Sequence, residues 1–300
     1  MWKKIVISIV VLIAAFAAFV YLSLRSLEVE TLSDKLHVIR GMGSNVTVLQ
    51  TDEGAVVIDS MTTHLQGRLI REKVKEITGQ ETVLIINTHY HLDHTHGNPS
   101  FQPGTRVIAT ERTLSHLQAL DSDFWTGDAA RLLPNETFTE SLKLNVGTQT
   151  LRLLHPGRGH TDGDLVVFID SEETVVMGDL LFHNYYPNID LEAGGSVQLW
   201  SSTLDRVLEG NFKTAIPGHG ATTDRNGIIK FQEFMEQLAD IGREAAANKT
   251  PLDDVVASSS LDTDAGFEMI KFAGIPIGLN REFVLRRTWE ESTGNFEIKN

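Results

Sequence analysis

The apolar run Val83-Leu84-Ile85-Ile86 leads through Asn87-Thr88 into His89-Tyr90-His91-Leu92-Asp93-His94-Thr95-His96, which holds four of the chain's 11 histidines. Polar side chains gathered at the end of a buried strand lose hydration, and that loss must be offset by partners or by a bound ion. Neutral imidazole nitrogens and carboxylate oxygens are good zinc ligands at about 2.0–2.2 Å. Residues two apart in a strand share a face, so His89 and His91 are expected to project together from the strand end. Asp93 and His94 are expected in the loop just beyond, with their side chains turned back to the same point. A solvated loop accounts well for one histidine, but poorly for H-x-H-x-D-H on the end of an apolar strand.

A simpler version of this pattern, an apolar strand, a glycine and then a ligand-type side chain, recurs three times. Gly159-His160-Thr161 follows the apolar stretch 151–154, Gly178-Asp179 follows Val175-Val176, and Gly218-His219 follows Ala215-Ile216. Glycine permits sharp turns and close backbone approach, which delivery of a ligand from a strand end requires. Together the four segments supply five histidines and two aspartates. That is enough for two metal ions, each with three terminal ligands and a shared carboxylate.

In this order the motifs Thr88-His89-x-His91-x-Asp93-His94, Gly159-His160-Thr161, Gly178-Asp179 and Pro217-Gly218-His219 resemble the metallo-β-lactamase superfamily, over roughly residues 35 to 225. The resemblance implies an α/β (α+β) four-layer αββα sandwich with the site at the rim between the sheets. It implies one metal on His89, His91 and His160, another on Asp93, His94 and His219, and Asp179 bridging both. It also implies a hydroxide between the ions as nucleophile, with Asp93 orienting it and moving a proton to the leaving group. Two Zn2+ ions are the expected cofactors, although nitrogen and oxygen donors also accept iron or manganese. Asp59, ending the apolar stretch 56–58, matches an acidic residue that would support a ligand from behind.

The departures from family patterns narrow the expected activity. The chain has no cysteine, whereas cysteine-bearing β-lactamase subclasses place a thiolate at the position of Asp179, so true β-lactamase activity becomes an alternative rather than the first reading. A bridging aspartate is similar to the arrangement in glyoxalase II thioesterases and acyl-homoserine-lactone lactonases. The expected reaction is hydrolysis of an ester, lactone, thioester or amide in a small molecule. A mononuclear iron persulfide dioxygenase and a non-catalytic binding module of the same fold are the further alternatives. Tyr185 and Tyr186, in the segment after Asp179, are candidates to donate to an oxyanion or simply to pack. His96 is expected in a loop or behind the ligands, His64 and His116 on helix surfaces, and Asp164 in a turn.

The rest of the chain constrains partners and location. A formal net charge of −14 from 40 acidic and 26 basic residues disfavours a nucleic-acid partner. Lys3-Lys4 precedes an uncharged apolar stretch, 5–24, long enough for a helix of about 30 Å, the thickness of a bilayer core. It is expected to be a membrane anchor (1–25) with the N-terminus inside and the catalytic part extracytoplasmic, that is, periplasmic. A cleaved signal peptide with secretion is the alternative, given Ala15-Phe16-Ala17. A polar linker (26–35), a hydrolase core (36–225) and a helical C-terminal extension (226–300) packed on the core complete the expected organisation. Periodicity predicts strands at 37–40, 45–49, 55–58, 83–86, 106–109, 148–154, 165–169, 174–176 and 214–216, and helices at 63–78, 111–120 and 196–208.

Overall fold

The computed structural model describes residues 2–296. The chain opens with α1 (Trp2–Arg25), a 24-residue helix with no buried residue, long and apolar enough to cross a membrane. A first sheet follows with its strands in chain order: β1 (Glu28–Thr31), β2 (Leu36–Arg40), β3 (Val46–Gln50), β4 (Ala55–Ile58), β5 (Thr82–Ile86), β6 (Arg106–Thr110) and β7 (Glu136–Phe138). Its first four strands form an antiparallel meander, and β4 to β7 run parallel. The helix α2 (His64–Thr78) makes the β4–β5 crossover, the short α3 (Leu92–Thr95) follows β5, and α4 (Glu111–Ala119) follows β6.

The second sheet holds β8 (Ser141–Val146), β9 (Gln149–Leu154), β10 (Val166–Ile169), β11 (Thr174–Phe182), β12 (Thr214–His219) and β13 (Thr223–Asp224), each beside its neighbours in sequence. The helix α5 (Val197–Leu208) makes the crossover between parallel β11 and β12. The remainder contains α6 (Arg225–Asn248), α7 (Leu252–Ser258), a hairpin of β14 (Lys271–Phe272) and β15 (Ile275–Pro276), and α8 (Arg281–Thr293).

Alternation along the strands explains the layers. In β4, Val56 and Ile58 face the second sheet, where they meet Leu153, Val167 and Ile216. Ala55 and Val57 face the other way, onto Ile70 and Val74 of α2. In β10, Val167 and Ile169 point between the sheets, while Val166 and Phe168 join α5, α6 and α8 through Trp200, Phe231 and Leu285. Strands buried on both faces read as unbroken apolar runs, which is why 55–58, 83–86 and 166–169 stand out in the sequence. The result is the expected αββα arrangement.

Several expectations need correction. Residues 28–31 are not part of a linker but an edge strand paired along its whole length with β2; three of the four are exposed, so their polarity reads as a stalk. The segments forming β7 and β8 escape notice because they are short or half-exposed, with Leu142 and Leu144 alternating with Lys143 and Asn145. The expected strand at 174–176 continues to Phe182, with register shifts at Gly178 that mark a bulge. A hairpin interrupts the expected helical tail. Residue 1 of the expected anchor and residues 297–300 of the expected extension lie outside the described residues.

Candidate metal centre

The site forms at the ends of strands from both sheets. Past β5 the chain turns at once, so His89 lies beyond the strand and His91 caps α3, while Asp93 and His94 sit on that helical turn rather than in a loop. His89 and His91 still converge, with ring centroids 4.9 Å apart. His160 arrives from the loop after β9, Asp179 from within β11 and His219 from the end of β12. Two groups result, His89, His91, His160 and Asp179 in one and Asp93, His94 and His219 in the other, each with one donor atom per residue within 4.8 Å of the rest.

Asp179 faces both groups. Its Oδ2 lies 3.6 Å from His160 Nε2 and 3.9 Å from His89 Nε2, while Oδ1 lies 3.2 Å from His94 Nε2 and 3.5 Å from His219 Nε2. Asp93 Oδ2 closes the second group at 3.2 Å from His219 Nε2. Ligands about 2.1 Å from a tetrahedral ion lie about 3.4 Å from one another, which is the spacing of these donors. Two glycines allow the close packing around Asp179, Gly178 against Thr88 and Gly218 against Asp179 itself. Gly178 has φ +51, and a Cβ there would lie 2.5 Å from Thr88 Oγ1; a Cβ on Gly218 would lie 2.0 Å from Asp179 Oδ1.

Outward hydrogen bonds fix which nitrogen each ring presents. His94 Nδ1 donates to Asp59 Oδ2 at 2.8 Å, and His160 Nδ1 donates to the Asn188 carbonyl at 2.9 Å. Thr88 spends its hydroxyl proton on Asp59, so His89 Nδ1 donates to Thr88 Oγ1 at 3.1 Å. His91 is turned the other way: its Nε2 donates to Asp190 Oδ2 at 2.9 Å, and Nδ1 faces inward. Tyr90 Oη donates to the same Asp190 oxygen, and the His219 ring stacks on Phe182.

These bonds leave bare nitrogens pointing at one another. His91 Nδ1 and His160 Nε2 are 2.8 Å apart with their N–H groups committed elsewhere, a contact that needs a cation, proton or metal, to join them. His89 Nε2, His94 Nε2 and Asp179 Oδ1 are buried without a hydrogen-bond partner. Native interiors rarely leave such atoms unsatisfied. The donor set therefore fits metal ions: four residues can hold one ion, and Asp93, His94 and His219 a second, with Asp179 between.

Burial and mutual charge set the protonation of the metal-free cluster. Burial, reinforced by His94, holds His89 well below the usual imidazole range, and burial with His91 pushes His160 down to about 4. Burial also opposes the charge on His94 and His219, but the surrounding carboxylates win. Asp179, Asp93 and Asp59 raise His94 well above the ordinary value, and Asp179 and Asp93 push His219 up to about 9. Burial works against ionisation of Asp179 and Asp93, yet the His94 and His219 charges hold Asp179 well below, and Asp93 below, the usual carboxylate range.

Asp59 is therefore no ordinary turn residue: at φ 64 it accepts from Thr88 N, Thr88 Oγ1 and His94 Nδ1. Asp190, which no motif marks, is the corresponding support for His91; its only sequence signal is a carboxylate in the segment after Asp179. Tyr185 lines the cleft beside the centre. Tyr186 does not join it: its hydroxyl donates to Asp264 Oδ2 at 2.6 Å and its ring packs on Phe234 and Phe267. His96 bonds Asp121 and stacks on Phe124 outside the centre, and His64 is exposed. His116, expected on the surface, is half-buried and donates to Asp162. Asp164 accepts from Thr161 N and Oγ1 in a buried turn, and burial pushes its carboxyl up to about 8.

Residues 39–219, which include all seven clustered side chains, match the family model described as the metallo-beta-lactamase superfamily. The chain belongs to that superfamily. Membership places it among metal-dependent hydrolases. It is 25% identical over 196 residues to a metallo-beta-lactamase type 2 from Bacillus cereus, covering 64% of this chain and 73% of that protein. The fold is also that of a metallo-beta-lactamase from Pontibacter korlensis, with TM-score 0.62 and 24% identity over 70% of this chain and 99% of that one. The sec-alkylsulfatase Pisa1 from Pseudomonas sp. superposes with TM-score 0.71 at 14% identity, over 90% of this chain and 51% of its own.

Metal ligands bind deprotonated, so metal uptake must displace protons from His94 and His219. Because His219 loses its proton near 9, zinc affinity of the metal-free protein is expected to climb by at least about tenfold per pH unit between pH 7 and 9. Chelator competition, corrected for the chelator's own protonation, measures this; a plateau above pH 7 contradicts it.

Proposed function

We propose that the protein is a dinuclear zinc hydrolase that cleaves an ester, lactone, thioester or amide bond in a small molecule. The observation that carries this reading is the placement of Asp179, whose two carboxylate oxygens each face a separate group of inward-turned histidines. Bound zinc ions supply Lewis acidity toward a carbonyl oxygen and make water acidic enough to ionise near neutrality.

The chain's own residues do the rest. His89, His91, His94, His160 and His219 bring bare nitrogens to the centre, and Asp59, Asp190 and the Asn188 carbonyl keep them aimed. Asp93 is the centre's more exposed carboxylate and lines the cleft, where it can orient an attacking water and pass a proton to the leaving group. As a carboxylate it can take up a proton from the attacking water before passing it on. Tyr185, which also lines the cleft, is placed to pack against substrate. Iron or manganese would suit the same donors.

A second reading, β-lactam hydrolysis, is favoured by the name of the Bacillus cereus relative. Against it stands Asp179 in a chain without cysteine. We also propose that α1 anchors the protein, with Lys3 and Lys4 on the inner side and the catalytic part extracytoplasmic, that is, periplasmic.

Turnover of chromogenic lactones, thioesters, aryl esters and β-lactams by the zinc-loaded protein tests the reading. His91→Ala and Asp179→Ala should each lower kcat/KM by more than about a hundredfold, and Asp190→Asn by about 10- to 100-fold, the range for residues that support metal ligands. Unchanged turnover in both alanine variants would sink the proposal, and turnover of β-lactams alone would select the second reading. Intact mass of the protein extracted from membranes tests the anchor: retention of residues 2–25 is expected, and a mass lacking them means cleavage.

A further inference from the structure

The cleft over Asp93 and His219 has a volume of about 770 Å³, within the range of small-molecule sites. Besides the metal-centre residues, the polar side chains lining it are Arg40, Asn45, Thr62, Asn188, Glu268 and Lys271. Beside them Met42, Leu92, Tyr185, Ile270, Phe272 and Ile277 present a largely apolar wall. Outside α1, exposed large apolar side chains concentrate here. Phe272 is 40% exposed and Ile277 52%, Leu92 and Met269 also line the cleft, and Ile275 neighbours them in the hairpin. Such concentration around a concave site marks a surface that is covered in use.

The wall is fastened rather than loose. Glu268 N donates to the Asn184 carbonyl, Tyr186 N donates to the Glu268 carbonyl, and Arg281 and Tyr186 both bond Asp264. The hairpin tip reaches across to the opposite side, where Ala273 N lies 3.2 Å from Met42 Sδ. Segment 264–281 is thus tied to the chain directly after β11, the strand that carries Asp179. On that opposite side, a Cβ added to Gly41 would lie 2.7 Å from Leu27 Cδ2. Leu27 is two residues past the end of α1, so the long apolar helix leaves the body beside the mouth of the cleft.

Resting on the hydrolase reading above, we infer that the substrate is an acyl compound bearing an extended aliphatic chain. Its scissile carbonyl lies at the Asp93 and His219 end, and its chain runs along Met42, Tyr185, Ile270, Phe272 and Ile277. Hydrolysis adds the hydroxyl of water to the acyl carbon, breaks the bond to the leaving oxygen, sulfur or nitrogen, and transfers the remaining water proton to that atom. The products are the fatty carboxylic acid, which then releases its hydroxyl proton to solvent as the carboxylate, and the protonated leaving group.

The test uses the full zinc-loaded chain in lipid nanodiscs and a homologous series of nitrophenyl esters from acetyl to dodecanoyl. A fully buried methylene strengthens binding by about fourfold and a partly buried one by about 1.5-fold or more, so kcat/KM is expected to rise at least about tenfold over the added methylenes from acetyl to octanoyl. Phe272→Ser and Ile277→Ser should bring the octanoyl-to-acetyl ratio toward one. Measurable turnover with a flat chain-length profile overturns this inference and leaves the hydrolase reading standing. A second readout is independent of turnover: decanoic acid with a photoreactive diazirine at its tail, cross-linked and mapped by peptide mass. Adducts within 268–279 or at Met42 support an aliphatic chain along this wall; if no ester is cleaved, the hydrolase reading falls and takes the acyl substrate with it, and adducts confined to α1 overturn the inference. Supplying the ester dissolved in water or in the nanodisc lipid distinguishes an aqueous from a bilayer source.

Discussion

Seven ligand-type side chains around one buried point cannot satisfy one another. His91 and His160 direct lone pairs at each other across 2.8 Å, and the inner atoms of His89, His94 and Asp179 have no hydrogen-bond partner. Unpaired buried polar atoms are costly, and a fold tolerates them where positive charge fills the gap. In the metal-free chain protons on His94 and His219 supply part of it. Metal ions supply it more completely, because they accept several donors at once.

The donors arrive from both sheets. Strands β5, β9, β11 and β12 deliver them from different parts of the chain, and the interleaved apolar layer holds the strand ends in register. A packed core moves little, so the ligands inherit its rigidity. The outer supports lie on the same framework. Asp59 follows β4, and Asp190 and Asn188 lie in the connection from β11 to α5, so His94, His91 and His160 are each braced by a segment other than their own. The C-terminal helices share a core with α5 and the second sheet, and the hairpin they carry becomes one wall of the cleft.

Much of this was legible in the sequence for physical reasons. Strands buried on both faces announce themselves as apolar runs, and ligands at their ends stand out by chemical contrast, so the candidate ligands could be read directly, while the four-layer fold and the grouping of the ligands followed from the resemblance to the superfamily. Asp59, which ends such a run, was visible through the same resemblance. Asp190 was not, because a carboxylate in a loop carries no spacing rule; only the folded chain sets it against His91. Tyr185 and Tyr186 are adjacent and chemically alike, yet one lines the cleft and the other is drawn away by Asp264, more than seventy residues on. The edge strand at 28–31 was illegible because an exposed strand loses the apolar signature that marks buried ones, and the hairpin at 271–276 because strands of two residues are too short to show a period.

The central claim is that Asp179 joins two metal sites into one centre. X-ray absorption at the zinc edge, on the full chain loaded to saturation and with total zinc quantified, tests it most directly. The account predicts two zinc ions per chain, nitrogen and oxygen ligands at about 2.0–2.2 Å, and metal–metal scattering at about 3.5–4 Å. A single zinc per chain at saturation, with no metal–metal scattering, would contradict it.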